Sequence, residues 1–363
     1  MRKMTYVMLL LAAVAITGCT TTSPMTKDKF SSFKGVDDFS SFTTSTSSKK
    51  ETVLLSPEIN ADMDWNQLIV SWNADAPTGT YVKVEAKAIS TDHKTKFYTM
   101  GKWSPDNEAF ERTSVRKQKD ADGNVVEDTL ILSKFANATQ IRVTLGGTNG
   151  AMPKLKFLGA CFANTKAEFP RHPSDRAAWG KIIPTPEISQ NAYPQEKGWC
   201  SPTSLTMVLQ RWSKELNRPE MHVDVPQTAA SVFDDAYDGT GNWPFNTAFA
   251  GSFLGMRAYV TRFDSMSELE AWVNAGIPVI ISAPWHLLAP GRPDTGSGHL
   301  TVCVGFTPSG DVVDNDPGTN PKKSVQHIYK RKNVENAWSK SYHTVYLVYP
   351  VDAKIPENTL GQW

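Results

Sequence analysis

The chain has 363 residues, which exceeds one average domain and favours two domains with additional segments. Hydrophobic residues make up 40% of the chain, enough to build real cores, and the formal net charge is only +1. This near-balance of charge gives no support for nucleic-acid binding.

The N-terminus has the features of a secretory leader. A basic start precedes an apolar run from about Tyr6 to Ile16, which is too short to span a bilayer stably. The run ends in "ITGC", which resembles a bacterial lipoprotein box. We therefore predict a lipoprotein signal peptide over residues 1–19 with Cys19 as the lipidation site, the alternative being an ordinary signal peptide. The mature protein would be exported and lipid-anchored to a bacterial membrane, at the outer membrane or the cell surface.

Residues 20–50 are rich in Ser, Thr and Lys and show neither a helical nor a strand period. The motif "FSSF" occurs at 30–33 and again at 39–42, where it would make weak surface contacts. The composition predicts a flexible linker between the lipid and the globular part.

Residues 51–165 consist of short alternating runs. In "YVKVEAKA", residues 81–88, apolar side chains alternate with Lys and Glu, and turn-forming stretches such as "APTGT" and "GTNGAMP" separate the runs. Such period-two strands predict an antiparallel β-sandwich, here an accessory domain. A cell-surface polymer is its candidate ligand, since no catalytic constellation falls in this half.

A proline-rich link sets a domain boundary near 165–180. Beyond it, helical patterns at 201–213 and 266–275 precede a late group of strands. This order predicts an α+β domain over 180–352, followed by a tail at 353–363. The predicted fold class is therefore multi-domain, a β-sandwich followed by an α+β domain.

Cys200 precedes the helical run "SPTSLTMVLQRW". Ser201 can cap this helix, and Pro202 can occupy an early position where its missing N–H is harmless. A thiol at a helix N-terminus has a lowered pKa, and the free N–H groups there can stabilise an oxyanion.

The chain contains four cysteines: Cys19, Cys161, Cys200 and Cys303. If Cys19 carries lipid, three remain, so at least one thiol is unpaired within the chain. Spacing leaves open a disulfide from Cys200 to Cys161 or Cys303, as well as a buried inert thiol.

A thiolate nucleophile needs a base, and the base needs an orienting partner. His299 follows the glycine-rich turn "DTGSG" and opens the apolar strand "LTVCVGF", while Asp314 and Asp316 end the next strand. If the two strands pair antiparallel, one of these carboxylates can meet the imidazole. Paired Cys or His ligands at short spacing are missing from the sequence, so no metal site is predicted.

The runs "SQ" at 189–190, "WCSPTS" at 199–204, "GH" at 298–299 and "NDP" at 315–317 resemble the papain-like cysteine peptidases related to bacteriocin-leader-processing enzymes. The resemblance covers roughly 185–350 and implies a papain-like fold for the α+β domain. It implies Cys200 as nucleophile, His299 as general base and acid, and Asp316 as the residue that orients His299, with Asp314 as the alternate. It further implies an oxyanion-binding glutamine upstream of the cysteine, for which Gln190 is preferred and Gln195 is the alternate.

The expected protein is an exported, lipid-anchored cysteine peptidase that hydrolyses peptides or proteins through a thioester intermediate and needs no cofactor. Two alternatives stay open. One is an amidase or endopeptidase acting on peptidoglycan stem peptides, and the other is a binding lipoprotein whose peptidase-like domain is inactive.

Overall fold

In the described residues, the N-terminal half of the fold is built from strands and the C-terminal half from helices and strands. A computed structural model describes residues 29–46, 51–193, 198–296 and 298–363. The predicted leader with Cys19 and the alternate glutamine Gln195 lie outside these residues. Within the described ranges, no helix is long and apolar enough to cross a membrane.

The N-terminal half is an antiparallel β-sandwich, which confirms the predicted fold class. Its two layers share one long strand, β8, whose first part pairs with β4 and β7 and whose second part pairs with β3 and β5. The described strands are β1 (Ser31–Val36), β2 (Thr43–Thr46), β3 (Thr52–Leu55), β4 (Ile59–Asp75), β5 (Thr80–Ile89), β6 (Tyr98–Trp103), β7 (Gly123–Val126), β8 (Thr129–Gly147) and β9 (Lys154–Ala163).

The alternating pattern of β5 and its neighbours produces the core between the layers. Trp65 and Trp72 of β4 and Val84 of β5 are fully buried, whereas Lys83 and Lys87 reach the surface. Burying one apolar face of each layer in this way stabilises the sandwich.

The prediction of a flexible linker over residues 20–50 is wrong for the two strands in this range, β1 and β2. β1 pairs with β9 along its whole length, and β2 pairs with β3. Phe30 and Phe33 of the first "FSSF" are 1% and 7% exposed, so this motif is part of the core and not a surface contact. The two strands end the sheet on either side. An edge strand pairs on one side only and can be short and polar. The Ser- and Thr-rich composition of β1 and β2 therefore resembles that of a linker.

The C-terminal half is an α+β fold, again as predicted. Its sheet has the antiparallel order β10-β15-β11-β12-β13-β14. The described strands are β10 (Met256–Arg262), β11 (Val279–Ser282), β12 (Leu300–Phe306), β13 (Val312–Asn315), β14 (Gln326–Tyr329) and β15 (Thr344–Pro350), and the helices are α1 (Cys200–Leu216), α2 (Val225–Val232), α3 (Trp243–Ser252), α4 (Met266–Asn274), α5 (Trp285–Leu288) and α6 (Arg331–Ser339).

Buried polar contacts join the two halves. Asn73 of the sandwich donates to the carbonyl of Ala258 on β10 at 2.7 Å and accepts from its N–H at 3.0 Å. Arg112, which is 1% exposed, donates to the carbonyls of Ala230 and Phe233 at 2.7 and 3.3 Å. The sandwich therefore holds the loop between α2 and α3 in place.

The last residues of the predicted tail are also packed between the halves. The ring of Trp363 lies 5.6 Å from that of Phe263, centroid to centroid, and the carbonyl of Gln362 accepts from the Thr261 hydroxyl at 2.6 Å. The backbone N–H of Phe33 donates to the carbonyl of Gly361 at 2.7 Å. Both ends of the described chain thus meet at the junction.

Candidate active site

Cys200 is the first residue of α1, and its side chain is 8% exposed. The predicted Ser201 cap is wrong: Trp199 is the N-cap residue, without a side-chain cap bond, because the helix has already begun at Cys200. The Ser201 hydroxyl instead makes a 2.9 Å hydrogen bond with the Tyr346 hydroxyl on β15. The first-turn N–H groups of α1 therefore have no side-chain cap, which favours negative charge beside Cys200.

The pairing of β12 with β13 brings His299 and Asp316 together. The two strands are antiparallel, with Val302 opposite Asn315, so the residue before β12 and the residue after β13 lie at the same edge. His299 Nε2 and Asp316 Oδ1 are 2.7 Å apart, and both side chains are buried.

His299 also makes a hydrogen bond with Cys200, and since Nε2 contacts Asp316, Nδ1 is the nitrogen left for the thiol. Burial opposes charge on both groups, yet the contact lowers the pKa of Cys200 and, together with Asp316, raises the pKa of His299 to about 10. The backbone N–H groups of Leu300 and Ser201 lower the pKa of the thiol further. The arrangement favours a thiolate beside an imidazolium.

Asp314, the alternate partner for His299, lies elsewhere. It stands opposite Cys303 in the β12–β13 register, and its Oδ1 accepts a hydrogen bond from the Thr301 hydroxyl. Burial raises its pKa to about 7. The structure thus pairs His299 with Asp316 and not with Asp314.

Two further side chains hold Asp316, and no local pattern in the sequence points to either. The Tyr329 hydroxyl donates to Asp316 Oδ2 at 2.6 Å, and Arg292 Nη1 donates to the same oxygen at 3.2 Å. Burial would raise the pKa of Asp316, but His299, Tyr329 and Arg292 hold it well below its usual range. Tyr329 lies on β14 opposite Val312 and not opposite Asp316, so its side chain reaches the carboxylate along the strand and no local pattern links the two residues.

A close approach of the backbone requires glycine at position 318. Its N–H donates to Asp316 Oδ1 at 2.8 Å. A Cβ atom there would lie 3.1 Å from that oxygen and 3.3 Å from Cε1 of His299. Gly318 therefore lets the backbone pack against both side chains.

Gln190 lies in a short 3₁₀ turn, Gln190–Ala192, that is docked on the segment after Asp316. Its N–H donates to the carbonyl of Pro317 at 2.9 Å, and Asn191 donates to the carbonyl of Gly318 at 2.9 Å. The side-chain Oε1 of Gln190 is enclosed without a hydrogen-bond partner in the described residues. Gln190 is thus attached to the segment that carries Asp316.

The described cysteines differ in their chemistry. Cys161, Cys200 and Cys303 are all free thiols, so Cys200 forms no disulfide with either of the others. Burial raises the pKa of Cys161 and of Cys303, whereas that of Cys200 is lowered. In the described part of the chain, no group of three His, Cys, Asp or Glu residues is placed to hold a metal ion.

Comparisons with known proteins cover both halves of the chain. A family model described as the peptidase C39 N-terminal domain matches residues 21–163, and one described as the C39-like peptidase family matches residues 182–346. A crystal structure of a protein from Bacillus anthracis classed as a C39-like peptidase is similar at 21% identity and a TM-score of 0.36, over 49% of this chain and 99% of that chain. Among curated proteins, none matches this sequence.

Proposed function

This chain belongs to the papain-like C39 cysteine peptidases, and on that premise we propose that it hydrolyses peptide bonds with Cys200 as the nucleophile. The observation that carries the proposal is the hydrogen-bonded chain from Cys200 through His299 to Asp316. A peptidase-like domain that only binds its ligand is the alternative, and the lowered pKa of Cys200 argues against it.

The proposed reaction is acyl transfer to water. The Cys200 thiolate attacks the carbonyl carbon of the scissile amide and forms a tetrahedral intermediate. The intermediate collapses as His299 gives its proton to the leaving amine, and a thioester remains. His299 then takes a proton from water, whose oxygen attacks the thioester, and the thiolate leaves as the product acid forms.

The oxyanion of each tetrahedral intermediate needs donors. The N–H of Cys200 at the start of α1 and the side chain of Gln190 are the proposed ones. Asp316 orients the imidazole and stabilises its charged form, and Tyr329 and Arg292 fix Asp316 in turn.

The direct test is digestion of a proteome-derived peptide mixture, read out by mass spectrometry. We expect new peptide termini that disappear when Cys200 is first alkylated with iodoacetamide. A parallel digestion of purified cell wall separates a general peptidase from an enzyme acting on peptidoglycan stem peptides. If the protein alkylates rapidly at Cys200 but releases fragments from neither material, it is a binding protein.

We expect Asp316→Asn to shift the alkaline limit of activity. The wild-type ion pair persists until His299 loses its proton, which its pKa of about 10 places at high pH. Removing the carboxylate charge lowers that pKa, so the alkaline limb of kcat/KM should move down by about one pH unit or more. A pH profile of kcat/KM measures the shift.

Asp314→Asn is the matched control, because Asp314 is equally buried but contacts Thr301. Its alkaline limb should coincide with that of the wild type. If the pH profile of kcat/KM for Asp316→Asn were unshifted, Asp316 would not be the residue that stabilises the charged form of His299.

We expect Gln190→Ala to lower kcat by about 100-fold, the cost of one lost oxyanion donor, with little change in KM. The comparison is with Gln195→Ala, since both glutamines precede Cys200 in the sequence. Steady-state kinetics of the two variants decide which glutamine acts. A loss of kcat in Gln195→Ala alone would transfer the role to Gln195.

We also propose that the mature protein is exported and attached to a bacterial membrane through Cys19. The support for this is the basic start, the short apolar run and the "ITGC" ending of the first nineteen residues. Attachment of this kind would place peptide hydrolysis at the cell envelope.

A further inference from the structure

A cleft of about 330 Å³ lies where the sandwich meets the C-terminal half. We call it the junction cleft. On the sandwich side it is lined by the β7–β8 turn with Glu127 and Asp128, and on the other side by Arg262, Gly298 and Lys340. Because Gly298 directly precedes His299, the cleft is adjacent to the candidate active site.

Arg262 is a buried cation that has no ion-pair partner in the part of the chain that the structure describes. Its side chain is 3% exposed, and Nε donates to the Thr344 hydroxyl at 3.3 Å. Its guanidinium carbon lies 5.1 Å from the centroid of the Tyr342 ring. In the described residues no carboxylate lies within ion-pair distance of it, and neither Nη atom donates a hydrogen bond. Unlike Nη1 of Arg211, the Nη groups of Arg262 are not shut away from solvent, and the side chain lines the cleft, where these donors are available to an entering acceptor.

Arg112 is a buried arginine of the same chain whose hydrogen bonds serve a structural role, and it can be compared with Arg262. It is equally buried, and it donates to three backbone carbonyls, those of Ser104, Ala230 and Phe233. Within the described residues, the side chain of Arg262 has one hydrogen-bond partner, the Thr344 hydroxyl. The contrast indicates that the Nη edge of the Arg262 guanidinium is available to bind a group that enters the cleft.

The charged groups around Arg262 leave room for an anion. Asp128 on the opposite wall already accepts from the N–H of Trp243 at 2.8 Å and from the Thr129 hydroxyl at 2.9 Å. Lys340 adds a second cation at the exposed rim. Two cations and two carboxylates therefore line the cleft: Asp128 is bonded to its own neighbours, Glu127 lies at the exposed end of the turn, and in the described residues neither forms an ion pair with Arg262.

We propose that the junction cleft is a substrate subsite in which Arg262, with Lys340 at the rim, binds a carboxylate of the peptide substrate. This rests on the proposed function, which it deepens by naming the substrate class as acidic peptides. With Nε bonded to Thr344, the edge formed by the two Nη groups is free, and such an edge matches a carboxylate in shape and charge. Binding energy gained there, away from the scissile bond, can be used to position that bond at Cys200.

The subsite gives the sandwich a part in specificity. Its β7–β8 turn forms one wall of the cleft, and Asp128 of that turn bonds the first residue of α3. A substrate carboxylate on Arg262 would therefore lie between the two halves of the chain. The sandwich thus limits which residues fit opposite Arg262.

The test uses the full chain on the proteome-derived peptide mixture. Wild-type cleavage sites should be enriched in Asp or Glu at one fixed distance from the scissile bond. For a cleaved peptide, kcat/KM should fall about 10- to 100-fold when its Glu is replaced by Gln, chiefly through KM. In Arg262→Gln the two peptides should be cleaved equally, and Arg262→Lys should keep part of the preference.

The rate of Cys200 alkylation reports whether each variant is folded, and Arg262→Lys with Lys340→Ala serves if Arg262→Gln does not fold. That double variant should show a reduced preference for Glu over Gln. Cleavage without an acidic preference, or a preference that survives both changes, overturns the subsite and leaves the peptidase proposal standing. Absence of any cleavage by the wild type overturns the proposed function itself.

Discussion

Replacing Cys200 by alanine is expected to lower kcat/KM for peptide hydrolysis by about 10⁴-fold or more. Covalent catalysis begins with this sulfur, and the other two described thiols are fully buried with raised pKa values. The measurement is the rate of hydrolysis of a peptide first identified in the mixture. Labelling by iodoacetamide at pH 6 should disappear in the same variant.

Cys303→Ala is the matched control. Cys303 lies in β12, four residues after His299, and is wholly buried, so its loss should cost about 1 kcal/mol of stability and leave activity within a few-fold. Both variants should unfold cooperatively. Retention of substantial cleavage by Cys200→Ala would end the proposal of a cysteine peptidase.

His299→Ala should produce two losses at once. Hydrolysis should fall by about 10³- to 10⁴-fold, because no base or acid remains at the thiol. Alkylation of Cys200 at pH 6 should also slow by about 100-fold, because burial raises the thiol pKa and the compensating contact with His299 is gone. Alkylation rates across a pH series measure the second effect directly.

His222→Ala serves as the comparison, since His222 is an exposed residue remote in sequence from the site. It should leave both readouts unchanged. If His299→Ala lost hydrolysis but alkylated as fast as the wild type at pH 6, the imidazole would not be what lowers the thiol pKa.

The sequence was informative where function or burial imposes a local pattern. Alternation in β5 predicted a sandwich because one face of that strand is buried and the other carries Lys83 and Lys87. The spacing of His299 and of Asp314 and Asp316 around one hairpin predicted that one of these carboxylates would meet the imidazole, since antiparallel pairing fixes which residues share an edge. Period and register are properties of a few neighbouring residues.

Features that depend on distant parts of the chain were missed. The polar composition of β1 predicts a linker, because its partner β9 lies more than a hundred residues away in the sequence. Tyr329 and Arg292 converge on Asp316 from different elements, and no spacing relates them. From the residues alone the choice between Asp314 and Asp316 stayed open and the resemblance preferred Asp316; in the structure Asp314 accepts a hydrogen bond from Thr301, and Asp316 meets His299.

The ordered strand β1 has a consequence for how far the enzyme can reach. With folded structure described from residue 29, the part of the predicted linker that precedes it shrinks to residues 20–28. A fully extended chain of that length spans about 30 Å at most. If Cys19 carries lipid, the segment that follows it would join the folded protein beside the junction of the two halves, where Phe33 contacts Gly361. The active site would then work at a distance from the bilayer that is set by this short tether and by the size of the folded protein itself.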